Sequence, residues 1–182
     1  ILSSAEPDAF PIVALDGTTA TFVVDAGDAE VVSTAAQAVR DDIKLITGKS
    51  LPVANTLAGT SLPIIAGTLG QSELIDALAA AGKIASGEVA GKWEAYGLEV
   101  VNNPVDGVER ALVAYGANPR GTAYALFEIS RLMGVSPYVW WADVQPEERD
   151  ALYATHGTTT VGEPSVKFRG IFINDEDWGL TP

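Results

Sequence analysis

The chain has no cysteine, a single histidine (His156) and a single methionine among its 182 residues. Without thiols it can form neither a disulfide nor a thiolate metal site, and one histidine cannot supply a histidine-rich metal centre. His156 also stands beside Gly157 in a turn-like stretch, a poor place for the base of a Ser-His-Asp triad. Cations are scarce as well: 11 Lys and Arg face 24 Asp and Glu, a formal net charge of -13. Such a surface repels phosphates, which argues against nucleic acid and anionic membrane as partners. An acidic sugar would need a local cluster of cations. No apolar run is long enough to span a bilayer. The glycine pairs Gly67/Gly70 and Gly116/Gly121 lack both the Lys-Ser/Thr of a phosphate loop and the three-glycine dinucleotide fingerprint. They read as turns, and no cofactor is expected.

What is present is apolar. Hydrophobic residues make up 47% and charged ones 19%, enough for one well-formed core and too little polarity for disorder. Residues 12–15 and 20–24 are short apolar runs across Asp16-Gly17, the signature of a hairpin. Asp28 then stands where an N-cap is wanted. Val31, Val32, Ala35, Ala36, Val39, Ile43 and Ile46 follow at helical spacing up to a capping Gly48. Residues 62–66 read as a buried strand, and Leu74, Ile75 and Leu78 as a second helix ending near Gly82. Strands over 96–101 and 111–115 follow. Asn118-Pro119 then starts a helix that Gly134 and Pro137 end. Residues 152–155 and 158–161 look like a small hairpin across His156-Gly157, Gly162-Glu163-Pro164 like a linker, and 166–173 like a new strand. Helices alternating with short buried strands predict an α/β fold, a mixed sheet flanked by helices.

Two stretches are rich in chemistry. Pro137-Tyr138-Val139-Trp140-Trp141 holds three large aromatics, which either stack on a sugar or, the better reading, fill a core or a domain contact. Asn174, Asp175, Glu176 and Asp177 follow an apolar run, either as acids delivered to a site at a strand end or as a solvated acidic loop.

Arg120-Gly121-Thr122, Gly134-Val135-Ser136-Pro137, Trp140-Trp141-Ala142-Asp143-Val144 and Ser165-Val166-Lys167-Phe168-Arg169-Gly170-Ile171-Phe172-Ile173-Asn174-Asp175-Glu176 together resemble the N-terminal part of glycoside hydrolase family 115. These are α-glucuronidases that remove glucuronic or 4-O-methylglucuronic acid from xylan. The resemblance is most specific over residues 116–182 and weakest before Asp28. It implies an N-terminal α/β domain over residues 1–163 and, over 164–182, the first strand of a truncated (β/α)8 barrel. The domain would then pack against that catalytic barrel. By the same resemblance Asn174 and Asp175 would line the uronate pocket, the partner would be glucuronoxylan or its oligosaccharides, and hydrolysis would invert configuration, with the acid and base mostly on later strands. The 182 residues alone would be inactive. A chain opening Ile-Leu-Ser-Ser without Met points to a trimmed amino terminus, either by removal of a signal peptide, in keeping with a secreted or periplasmic enzyme, or because the sequence begins at an arbitrary boundary in a longer chain. A carbohydrate-binding module using Tyr138, Trp140 and Trp141 is the competing expectation. So is a structural domain of another exo-glycosidase of the hexosaminidase type.

Overall fold

A computed structural model describes residues 1–6 and 8–172, with the backbone alone for residues 140 and 141. In chain order its elements are β1 (Phe10–Val13), β2 (Thr21–Val24), α1 (Glu30–Thr47), β3 (Val53–Ala54), β4 (Pro63–Thr68), α2 (Glu73–Ala80), a 3-10 turn (Ser86–Glu88), β5 (Tyr96–Asn102), β6 (Arg110–Gly116), α3 (Pro119–Met133), α4 (Val139–Ala142), β7 (Leu152–Ala154) and β8 (Thr158–Val161). The main sheet runs β3-β2-β4-β6-β5-β8. Its first four strands are parallel, and β5 and β8 add antiparallel partners on the far side.

The sheet is covered on both faces because the central strands are apolar on both. Phe22, Val24, Ile64, Ala66, Leu112 and Ala114 face α1 and α3, whose buried stripes include Val39, Ile43, Leu126 and Ile129. The alternate residues Ile65, Val113 and Tyr115 meet Ile75 and Leu78 of α2, with Ile84 and Val89. That two-residue alternation on strands buried at both faces explains the unbroken apolar run of β4. Each isoleucine so buried contributes about 1.5–3 kcal/mol.

Local stereochemistry ends the helices where expected. Gly48 (φ 70°) and Gly134 (φ 95°) are left-handed caps of α1 and α3, and the Gly48 N–H donates to Lys44 O at 2.8 Å. Asn118 caps α3 by accepting from Gly121 N at 2.9 Å, with Pro119 opening the helix.

Strand partnership differs from expectation twice. The turn at Asp16-Gly17 exists, with Asp16 Oδ1 accepting from Thr18 N at 2.9 Å. The strands on either side nevertheless part after a single bridge at Val13 and Thr19. β1 pairs antiparallel with β7, whereas β2 enters the main sheet beside β4. Likewise β7 and β8 do not pair with each other: β8 extends the main sheet on β5. β2 and β8 join the longer strands β4 and β5 of the main sheet, which leaves β1 and β7 to pair with each other. Asp28 is not the cap of α1 either. Ala29 holds that place, and Asp28 spans to β4, accepting from Thr68 N at 2.6 Å. Finally, residues 166–172 carry no strand, and Phe168, Ile171 and Phe172 are exposed. A lone strand has no ladder for its backbone groups among the described residues. Residue 173, the last of that expected strand, lies outside them.

Candidate functional site at the carboxyl end of the sheet

In open α/β sheets, ligands settle beyond the carboxyl ends of parallel strands, where the chain departs to opposite faces. Here that place lies between β4, which leads to α2 on one face, and β6, which leads to α3 on the other. The crevice is filled. Thr68 and Thr122 are fully buried with their hydroxyls 2.8 Å apart, Thr122 Oγ1 also donates to Gly67 O at 3.2 Å, and Leu69 N donates to Gly116 O at 3.0 Å. Carboxylates occupy the nearby donors: Asp25 Oδ2 accepts from Glu73 N at 2.9 Å, in the first turn of α2. A helix start satisfied in this way keeps few free amides for a ligand anion.

The chemistry lies one strand over. β5 runs antiparallel to β6, so its first residue, Tyr96, sits opposite Gly116 at this same end. Just before it, Glu94 is buried and left-handed, with φ 54°. A non-glycine residue held there costs about 1–3 kcal/mol, so surrounding contacts must enforce it. Its carboxylate meets two arginines. Arg120 of α3 places Nε 3.0 Å from Glu94 Oε1, off the line of a good hydrogen bond, and Arg169 donates to Glu94 Oε2. Both guanidinium groups also donate to Tyr124 Oη, at 3.1 Å from Arg120 and 3.3 Å from Arg169. The hydrogen bond to Glu94 raises the pKa of Arg169 above its ordinary value.

The same segment is held at neighbouring points. Trp93 N donates to Glu163 Oε1 at 2.7 Å, Lys167 Nζ lies 5.0 Å from the Trp93 ring centre, and the Arg169 guanidinium lies 5.9 Å from that of Tyr124. In a chain this acidic, Arg120, Lys167 and Arg169 thus gather three cations and two aromatic rings where residues 163–169 leave the sheet. Arg120 and Arg169 both stand in the sequence segments singled out above. Glu94 does not. No period or turn signal marks it, and only the tertiary fold brings it to them.

The expected site residues Asn174 and Asp175 lie outside the described residues. Tyr138 is largely exposed and fills no core among the described residues; the Trp140 and Trp141 side chains lie outside the description. His156 is exposed in the connection between β7 and β8. Among the described residues no group of three His, Asp or Glu side chains is placed to hold a metal ion, and no helix is long and apolar enough to cross a membrane.

A second concavity, about 540 Å3, lies between α1 and α3, lined by Phe127, Val135, Pro137 and Val139 with Asp42 and Ser130 among them. Ser130 Oγ donates to Asp42 Oδ2 at 2.6 Å, but burial outweighs that bond and raises the Asp42 pKa above 3.8. A carboxyl raised on folding contributes stability that is complete below about pH 3.8 and lost as pH rises through the folded value. Asp42→Asn keeps an oxygen for Ser130 and removes that loss. Thermal melts should therefore show a variant more stable than wild type at pH 7, with the gap closing near pH 3. An unchanged gap would mean that burial does not govern this carboxyl.

Against known proteins, the fold is similar to part of a family GH115 4-O-methyl-α-glucuronidase with specificity for decorated arabinogalactans. The match has a TM-score of 0.71 and 35% identity, covering 88% of this chain and 19% of that enzyme. A Streptomyces plicatus β-hexosaminidase is matched at 14% identity and TM-score 0.48, over 86% of this chain and 23% of its own. No protein-family model matches, nor does any curated protein. This chain thus spans about a fifth of the glycoside hydrolase to which it is similar.

Proposed function

We propose that the chain is the N-terminal α/β domain of a GH115-type α-glucuronidase, and that it supports a catalytic barrel rather than performing hydrolysis. The observation that carries this reading is the 35% identity maintained over 88% of the chain. In the parent enzyme, residues 164–182 would form the start of the barrel, and Asn174 and Asp175 would hydrogen-bond the uronate. The carboxylic acid and the carboxylate base of an inverting mechanism must flank a water across a wide gap, a geometry that needs several barrel strands. The segment at 166–172, exposed and without a strand partner among the described residues, is consistent with a strand whose partners come from the rest of such a barrel.

The substrate is an α-linked glucuronic or 4-O-methylglucuronic acid side chain. Xylan is one backbone that carries it. Arabinogalactan is another, favoured by what the similar enzyme is specific for. Such polymers lie outside the cell, which fits a secreted or periplasmic enzyme.

The test is release of uronic acid from glucuronoxylan and from decorated arabinogalactan, assayed with the 182-residue chain and with the parent enzyme. The parent should release it, with the preferred polymer identifying the backbone. The 182-residue chain should release none, and turnover by that chain, freed of contaminating hydrolases, would overturn the reading.

A further inference from the structure

The cluster around Glu94 has more contacts than a surface ion pair requires. A single carboxylate, almost wholly buried, receives Arg120 from α3 and Arg169 from the segment that leaves the domain. Its backbone sits in a conformation that non-glycine residues rarely adopt. Both arginines also converge on the same phenol, Tyr124 Oη. Three further contacts within reach, Glu163 on Trp93 N, Lys167 over Trp93 and Arg169 over Tyr124, fasten the same short stretch of chain.

Isolated exposed ion pairs do little, because water solvates the charges as well as the partner does. Glu94 differs in being removed from water, so a carboxylate stripped of its cations there is costly. Its Oε1 has no well-aligned donor, which leaves Arg169 on Oε2 as the aligned charged partner. The segment therefore completes a buried site of the domain.

We propose that Glu94 is a positioning residue: by clamping Arg169 against Arg120 and Tyr124 it fixes the course of residues 163–169, the segment that precedes Asn174 and Asp175 in the sequence. The consequence for substrate binding rests on the function proposed above. The clamp itself does not.

Backbone 15N relaxation of the 182-residue chain tests it directly. In the wild type, residues 165–169 should have order parameters near the rigid value of about 0.85. Arg169→Gln, which keeps the Arg120 cation beside Glu94, should bring them below about 0.6 while β5 and α3 stay rigid. Glu94→Gln should loosen the same residues, and Arg169→Lys, which restores a cation, should recover part of the order. Unchanged order parameters in Arg169→Gln would overturn the proposal, and so would a wild-type segment already as mobile as a free tail. Because the readout is segment order in this chain, it stands or falls without regard to any glucuronidase activity. If Glu94→Gln fails to fold, Arg169→Gln still decides.

Discussion

Gly116→Ala should be the most damaging single-methyl addition in this protein. A Cβ at Gly116 would lie 2.5 Å from the Gly121 carbonyl carbon and 2.8 Å from Asn118 O, and closer still to the Thr122 nitrogen. All three are backbone atoms of the turn that starts α3, so no side chain can rotate away. Relief requires moving the helix start, and with it the Thr68–Thr122 hydroxyl pair and the Ala117 N to Ala95 O bond at 2.9 Å. Overpacking of this kind costs about 3 kcal/mol, the upper part of the usual range. For a domain of this size that lowers Tm by roughly 6–12 °C. Gly87→Ala is the control, since a Cβ there meets nothing within 4 Å. It should stay within about 0.5 kcal/mol of wild type. A Gly116→Ala protein that melts with the control would show that the β6–α3 junction yields easily.

That junction shows what a sequence can and cannot disclose. Gly116 and Gly121 read as turn residues, and they do flank a turn. Their more demanding role is close approach: a Cβ on Gly121 would lie 2.5 Å from Ala95 O. Nothing in the local sequence distinguishes the two uses. The elements with local causes were legible. α1 shows its stripe and its Gly48 cap, α3 its Asn118-Pro119 start, and β4 its unbroken apolar run. Partnership between strands was not. Asp16-Gly17 announces that the chain reverses, yet β1 and β2 go to different sheets, because their partners β7 and β4 are distant in sequence and the turn does not specify them. Glu94 lies beyond local reading for a similar reason. It acquires its role from residues 26 and 75 positions away, and from a left-handed φ that tertiary contacts impose.

The two buried carboxylates of β5 and its approach separate stability from function. Glu94 holds the departing segment at the carboxyl end of the sheet. Glu99, five residues on, faces α2 and binds only this domain. The proposed support of a catalytic barrel would call for both: a sheet that does not deform, and a defined course for the segment that leaves it.

Glu99→Ala should accordingly unfold the protein more easily without touching the Glu94 cluster. Glu99 is nearly inaccessible to water, and its carboxylate is fully used. Oε1 accepts from Tyr115 Oη and from Ala85 N at 2.7 Å, and Oε2 accepts from Thr158 Oγ1 at 2.9 Å. One side chain thereby joins β5, β6, β8 and the loop before the 3-10 turn. Burial, then the hydrogen bond to Glu99, pushes the Tyr115 phenol well above its ordinary pKa, so it remains a donor throughout the working range. The ring cannot swing to a new acceptor, because it lies against Gly97, where even a methyl group would collide with it. Truncation would leave the Tyr115 hydroxyl and the Ala85 N–H without partners, at about 1–3 kcal/mol each, beside a new cavity. Urea unfolding should show a loss of roughly 3–5 kcal/mol. Tyr115→Phe removes one donor and leaves the carboxylate its other two, so it should cost only about 1–2 kcal/mol. In the double variant the losses should fall short of the sum, since both changes break the same hydrogen bond. Additive losses, or a Glu99→Ala protein as stable as wild type, would mean that β8 and the 85 loop are held by packing alone.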